Sequence, residues 1–251
     1  MNKTGKSLCV MAAFLAASFS AFAATWEKPV PREVSLVSGE EYYLYNYDAV
    51  KFLDVSGMQT APTETGRAFL FEKQSSGDWT MYGSDGYLYA DLDYVGCNGG
   101  DGESGSIWCI EKQASGAYYL RPSKSDPTFS WTAYPDMWTG ISYATGGIVP
   151  LIKTGDGALD WYFLPVAKYA DFIGKIALHH VMTELQGYGY DVTALLAVYN
   201  TATDRASFDA AIAGVQADLD ELRFEHASHH KGCPLKHARA TLRACFRGQP
   251  L

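Results

Sequence analysis

A nine-residue phrase is written twice in this chain, as FLFEKQSSG from Phe69 and as WCIEKQASG from Trp108. The copies lie 39 residues apart, and each precedes a run rich in aromatic residues. A period of about 20 to 50 residues is typical of a repeated supersecondary unit. The phrase therefore predicts a repeat architecture for this part of the chain.

The surrounding sequence extends the repeat to three units. From Ser38 to about Ala170, short aromatic or β-branched runs alternate with Gly, Ser and Asp, as in strands joined by turns. Each unit reads as three strands, the last of which begins with an aromatic residue: Phe69, Trp108 or Trp161. The third unit is longer and carries an insertion. Three such units without a helix between them predict a closed threefold β architecture that leaves few exposed strand edges.

Two further lines, GEEYYLYNYDAVKFLDV and WYFLPV, resemble β-trefoil modules of the ricin-type lectin or MIR kind in exported bacterial proteins. The resemblance covers residues 38–170, about half of the chain. It implies a mainly β fold, a β-trefoil of three repeats of about 40 residues, followed by a small α-helical segment. The Gln-x-Trp signature of ricin-type lectins is absent from FLFEKQ, WCIEKQ and WYFLPV, so the resemblance does not imply galactose binding.

Residues 171–225 change from a period of two to a period of 3.6, which predicts a helical module. Phe172, Ile176, Met182 and Leu185 form the apolar stripe of a first helix that ends at Gly187. Asp191 is the expected N-cap of a short second helix, and Ser207 of a longer third one. This module resembles the small helical units that recur beside sugar-binding domains in large surface proteins.

The two ends of the chain differ from the rest in composition. Residues 1–23 combine a basic start, an apolar stretch and the small-x-small pattern Ala21-Phe22-Ala23, as in a signal peptide. The protein is therefore expected to be secreted or held at the cell surface, and no later segment is apolar enough for a membrane span. Residues 226–251 are basic and rich in His, with no acidic residue. This atypical tail is either a real extension or the result of a reading-frame change near Glu225, and we favour the second.

The cysteines and the net charge limit the possible partners. An exported chain permits a disulfide between Cys97 and Cys109, although two free thiols or pairing with Cys233 and Cys245 stay open. The net charge of −8 argues against a nucleic-acid partner, which requires a basic face. The acidic loop after Asp91 and the tail histidines match no common calcium or zinc spacing, so no metal ion or cofactor is predicted.

The insertion in the third unit, TFSWTAYPDMWTGISYATGG, is the best candidate for ligand contact. Aromatic faces stack on the C–H groups of sugar rings, and nearby polar groups bind the hydroxyls. The alternative is that these aromatic side chains cap the barrel or pack against the helices. The candidate ligand-binding residues are Trp131, Tyr134, Asp136, Trp138 and Tyr143.

The sequence thus favours a non-catalytic carbohydrate-binding or adhesion module whose partner is a glycan or a cell-surface polysaccharide. No Gly-x-Ser-x-Gly, His-Glu-x-x-His or phosphate-binding glycine motif occurs, so no enzyme is predicted. One alternative is a protein-binding trefoil, such as an inhibitor of an extracellular protease, using the glycine-rich loop between Cys97 and Cys109. Another is a scaffold fragment of a larger surface protein.

Expression of the full chain in a host with a general secretory pathway should release a product that starts near Ala24. The small residues Ala21 and Ala23 are those that a signal peptidase reads. N-terminal sequencing and intact mass of the product would check this. A product that keeps Met1 and stays inside the host would contradict the export expectation.

Overall fold

The structure, a computed structural model, describes residues 25–56, 58–91, 93–99, 105–126, 129 and 136–230. These residues form a mainly β protein with one large antiparallel sheet, followed by three helices. The helices are α1 (Val166–Gly187), α2 (Thr193–Thr201) and α3 (Arg205–His230). The strands are β1 (Glu40–Asn46), β2 (Lys51–Ser56), β3 (Gln59–Thr63), β4 (Ala68–Lys73), β5 (Trp79–Gly83), β6 (Gly86–Ala90), β7 (Val95–Gly99), β8 (Trp108–Lys112), β9 (Tyr118–Pro122), β10 (Met137–Ser142), β11 (Ile148–Lys153), β12 (Gly157–Ala158) and β13 (Trp161–Pro165).

Six of the strands pair in a closed ring. Going around it, β1 pairs with β4, β4 with β5, β5 with β8, β8 with β9, β9 with β13, and β13 with β1 again. Because the last strand of the ring returns to the first, each of the six strands pairs with a neighbour on both sides. The closing pair β1–β13 has five residues in register, from Tyr42 opposite Pro165 to Asn46 opposite Trp161.

Three hairpins complete the sheet: β2–β3, β6–β7 and β10–β11. Strand β3 pairs with β7, and β11 contacts both, so the hairpins meet one another. Ring and hairpins share one hydrophobic core, in which Phe69, Phe71 and Trp108 are fully buried. The core is the reason that the apolar residues of these short strands alternate with outward-facing polar and aromatic ones.

Three strands were expected in each of the units predicted from sequence, whereas the first two contain four strands each and the third contains five, β9 to β13. The first strands of the units, β1, β5 and β9, begin at intervals of 39 residues. The strand missed in the first unit is β3, QTAPT, and the one missed in the second is β7, VGCNG. Both lack the aromatic residues by which the other strands are recognised, and Pro or Gly interrupts them.

The repeated phrase builds the same turn twice. Gln74 N–H donates to the Asp78 carbonyl at 2.8 Å, and Gln113 N–H donates to the Ala117 carbonyl at 2.8 Å. The glycine that ends each phrase has a positive φ, +95° at Gly77 and +88° at Gly116, which a side chain would strain. These turns join β4 to β5 and β8 to β9. The third unit has no such turn, because β13 continues into α1.

The aromatic residue that opens the last strand of a unit anchors that unit's hairpin. The Trp108 indole N–H donates to the Leu88 carbonyl of β6 at 2.9 Å. The Trp161 indole N–H donates to the Thr139 carbonyl of β10, also at 2.9 Å. Both indoles are buried, so each bond satisfies a donor and an acceptor that water cannot reach. Phe69 has the same position in the first unit without a hydrogen bond from its ring.

The helical module has the predicted apolar stripe, and its first helix ends at Gly187 as predicted. The start of the module, its end and its N-caps differ from the prediction. Phe172, Ile176, Met182 and Leu185 are buried on α1 as expected. α1 begins at Val166, so the expected boundary at residue 170 lies inside it, and α3 continues to His230.

The side chains at the helix starts explain the cap positions. At α2 the N-cap is Val192 and not the predicted Asp191. The Asp191 carboxylate, one residue earlier, accepts the Thr193 N–H at 3.0 Å. At α3, Asp204 accepts the N–H of Ser207 at 2.9 Å, so the capping side chain is Asp204 and not Ser207.

We expect replacement of Phe163 by Ala to destabilise the protein by about 3–5 kcal/mol, the usual cost of emptying a buried phenylalanine site. Its ring is 1% exposed and lies 4.8 to 6.4 Å from the rings of Tyr42, Phe71 and Tyr118. Denaturant unfolding would measure the change. Phe224→Ala is the matched control, because that ring is 61% exposed and should cost little. Equal effects of the two substitutions would contradict the described core.

Candidate functional site

The described part of the chain contains three of the five predicted ligand residues. Trp131 and Tyr134 lie outside the described residues. Asp136 is exposed just before β10, and Trp138 is half-buried within β10. Tyr143 is 68% exposed beyond the other end of that strand. Five residues of extended chain separate Trp138 from Tyr143, about 16 Å at the usual rise of a strand. The two rings therefore do not form one contact surface.

Trp138 belongs to a cluster on the outer face of β8, β9 and β10. Its ring meets Tyr119 nearly edge-on, with centroids 5.2 Å apart. The Arg121 guanidinium lies over the indole, 4.5 Å from its centroid. The Arg121 side chain is largely buried. Arg121 also donates to Glu111 Oε1 at 2.5 Å. We call Trp138, Tyr119, Arg121 and Glu111 the Trp138 platform.

Strand alternation explains the platform. On β9, Tyr118 and Leu120 face the core, so Tyr119 and Arg121 face outward. Thr139 of β10 pairs with Leu120, which places Trp138 beside the outward residues of β9. Sequence reasoning found Trp138 from composition but missed Tyr119 and Arg121. The alternating pattern of YYLRP is the signal that would have found them.

The electrostatics of the platform fix its side chains in place. Arg121 has a side-chain exposure of 13%, so its bond to Glu111 is better shielded than an ordinary surface pair. Burial raises the pKa of the Tyr119 hydroxyl, and the nearby Asp160 carboxylate raises it further. Burial and then the charge of Asp48 raise the pKa of Asp160, to which the Tyr119 hydroxyl donates. Tyr119 is thus held between the Trp138 ring and a carboxylate.

A second aromatic surface lies on the second unit and was not predicted from sequence. Tyr82 of β5 pairs with Tyr87 of β6, and their ring centroids are 5.0 Å apart. Tyr89 and Tyr94 lie 6.3 Å apart, with their hydroxyl oxygens at 3.3 Å. A Cβ on Gly96 would lie 2.5 Å from the Tyr89 ring, so glycine leaves the space that this ring occupies. We call these four tyrosines the tyrosine face; the alternation in GYLYA predicts half of it.

The corresponding outer surface of the first unit is covered by α1. Tyr169 stacks on Tyr43 with centroids 3.8 Å apart and planes 14° apart. Phe172 meets Tyr45 edge-on at 5.0 Å, and Phe52 is fully buried beside them. These aromatic residues therefore join the helices to the barrel and are not available to a ligand.

The disulfide expected between Cys97 and Cys109 is not formed. Cys97 and Cys109 are both free thiols. Cys97 faces the core from β7, and its Sγ lies 3.3 Å from the Gly86 carbonyl oxygen. Cys109 follows the buried Trp108, so alternation turns it outward, where its Sγ lies 3.6 Å from Glu111 Oε1. The two thiols therefore point to different sides of the sheet.

Within the described ranges, no three His, Cys, Asp or Glu side chains are grouped so as to hold a metal ion. None of the three helices has the length and hydrophobicity needed to cross a membrane. Several segments with predicted roles lie outside the described residues: Asp101 and Glu103 of the acidic loop, the segment 1–23 predicted to be a signal peptide, and the tail from residue 231 onward, with Cys233 and Cys245.

No family model and no curated protein matches this chain. Among solved structures, it is similar to a ricin B-like lectin from Macrolepiota procera in complex with lactose, at 18% identity and a TM-score of 0.40, over 53% of this chain and 99% of the lectin. It is also similar to an endo-β-galactosidase from Clostridium perfringens, at 14% identity and a TM-score of 0.40, over 51% of this chain and 33% of the enzyme. A third is a salivary protein from Culex quinquefasciatus, at 15% identity and a TM-score of 0.38, over 53% of this chain and 98% of that protein. Each likeness is confined to about half of this chain.

The folded protein should react with a thiol-alkylating reagent first at Cys109 and much later at Cys97. Cys109 is partly exposed, whereas Cys97 is fully buried, and burial raises the pKa of both thiols. Peptide mapping by mass spectrometry after timed labelling without reductant would measure the order. Recovery of a Cys97–Cys109 linked peptide from the native protein would contradict the free thiols.

Proposed function

We propose that this protein is an exported, non-catalytic carbohydrate-binding or adhesion module that contacts a glycan or cell-surface polysaccharide through the Trp138 platform. The platform is the observation on which the proposal rests. It combines an indole ring, a tyrosine ring and fixed charged groups on the outer face of a rigid sheet. The export part rests on the signal-like segment 1–23 of the sequence.

We further propose that the β part is a β-trefoil of three units. The closed six-stranded ring, the three mutually contacting hairpins and the 39-residue spacing of β1, β5 and β9 support this description. A closed ring suits the function, because a site on paired strands is held more precisely than a site on loops.

The chemistry of the platform fits a polyhydroxylated ligand. A sugar ring presents C–H groups that pack on the aromatic rings of Trp138 and Tyr119, and hydroxyls that need polar partners. Glu111 supplies carboxylate oxygens beside Arg121, and Asp160 supplies them beside the Tyr119 hydroxyl. Asp136, exposed two residues before Trp138, supplies another acceptor. Trp131 and Tyr134 of the same insertion stay predictions from sequence, because they lie outside the described residues.

The protease-inhibitor alternative is less well supported. It required a rigid loop between Cys97 and Cys109 braced by a disulfide, and the two thiols are free. The tyrosine face is the competing location for the same function.

Replacement of Trp138 by Ala should weaken glycan binding by about two- to tenfold, because one aromatic stacking contact contributes roughly 0.5–1.5 kcal/mol. Trp138→Phe should keep most of the affinity, since a smaller ring still stacks. A glycan array on residues 24–230 would identify the ligand, and calorimetry with the best glycan would measure the change.

Two further variants serve as controls for this experiment. Phe224→Ala removes an exposed aromatic ring on α3, away from the platform, and should leave binding unchanged. Tyr87→Ala combined with Tyr89→Ala tests the tyrosine face. If binding survives Trp138→Ala and is lost in the tyrosine variant, the assignment to the Trp138 platform is wrong. Absence of binding to any glycan would overturn the function itself.

A further inference from the structure

Residues 25–37 contain neither helix nor strand, yet they contact both the helices and the barrel. We call this segment the strap. Trp26 packs against the cluster formed by the three helices. Pro29 and Pro31 are buried, and Val34 and Leu36 pack against the core of the barrel. The strap thus bridges two hydrophobic clusters.

Hydrogen bonds fasten the strap at both ends. The Tyr199 hydroxyl of α2 donates to the Glu27 carbonyl at 2.8 Å. The Tyr118 hydroxyl of β9 donates to the Val34 carbonyl at 2.9 Å. Lys112 of β8 forms an ion pair with Glu33. The barrel end is therefore held by a charged pair and a hydrogen bond, whereas the helical end is held by Trp26 and by the Tyr199 hydrogen bond. Next to that end, the Lys28 ammonium donates to the Asp48 carbonyl at 2.6 Å.

His179 of α1 lies at this helical end. Its ring is 6.4 Å from the ring of Trp26, which meets it edge-on, and 6.2 Å from the ring of Tyr199. Its Nδ1 is buried and has no hydrogen-bond partner. The residue as a whole is partly buried. A neutral imidazole tolerates such a setting, but an imidazolium would place an N–H donor at the buried Nδ1 position without an acceptor.

The groups that face His179 are cationic or neutral. Lys28 of the strap and His180 of α1 act on it electrostatically. Lys175, one turn earlier on α1, lies 4.6 Å from the Tyr199 ring centroid. The strap's acidic group nearby is Glu27, whose charge acts on Tyr199 and Tyr47. No ion pair joins His179 to a carboxylate in the part of the chain that the structure describes.

We propose that His179 is an acid-sensitive latch: its uncharged ring holds Trp26 and the strap against the helices, and protonation releases the strap. The direction of the pH effect follows from the groups around His179. Burial lowers the pKa of His179 below its ordinary 6.5, and the charges of His180 and Lys28 lower it further. The folded state therefore binds this proton more weakly than the unfolded state does. The latch is complete above about pH 6.5 and weakens as the pH falls below that value.

The latch does not depend on the proposed carbohydrate binding, so the two can fail separately. Hydrogen–deuterium exchange of peptides from residues 25–37, measured at pH 7.5 and pH 5.0 and corrected for intrinsic rates, tests it. Peptides from β8 and β9 are the internal reference. We expect the strap of the wild-type protein to exchange at least about tenfold faster at pH 5.0, because burying an unpaired charge is costly.

Three variants make the result specific to His179. His179→Gln and His179→Phe cannot be protonated, and at least one of them should keep the strap protected at both pH values. His180→Gln, on the exposed neighbour, should retain the acid response. Unchanged strap protection in the wild-type protein at pH 5.0 would overturn the latch. So would an acid response of wild-type size in both His179 variants.

Discussion

The pairing of β1 with β13 is the contact on which the rest of the structure depends. It joins the first and last strands of the sheet and turns a chain of hairpin-linked strands into a ring. Without it, both strands would have unpaired edges, and the shared core beneath Phe71 and Phe163 would be open on one side. The same pair also sets the position of the helices, because β13 continues into α1 without a loop.

The three units share this core but use their outer faces differently. In the first unit, Tyr43 and Phe52 bind α1. The second unit presents the tyrosine face and the third presents the Trp138 platform. The inward residues of a repeat are constrained by common packing, whereas the outward residues are free to differ. This division explains why most of the repeated phrase serves the fold, while an outward residue of it, Glu111, belongs to the Trp138 platform. Trp138 comes from the insertion, and Tyr119 and Arg121 come from β9.

Much of the framework could be predicted from sequence, because strand and helix periods are local signals. The 39-residue phrase and the apolar stripe of α1 are such signals. The polar strands β3 and β7 were missed, because tertiary pairing and not local propensity makes them strands. The prediction of a disulfide was wrong for a geometric reason, because strand alternation places Cys97 inward and Cys109 outward. The partners of Trp138 were missed because the β9–β10 register is not visible in composition.

The geometry of the ring closure also determines how the protein would respond to mechanical load. The strap enters at the start of β1, and α1 leaves from the end of β13, where Tyr42 lies opposite Pro165. Both connections are at the same end of an antiparallel pair, so tension on them would peel the ladder one hydrogen-bonded pair at a time. The contact of Trp26 and Glu27 with the helices lies ahead of that ladder. This contact would therefore break before the β1–β13 ladder is loaded, and the barrel would stay closed until then.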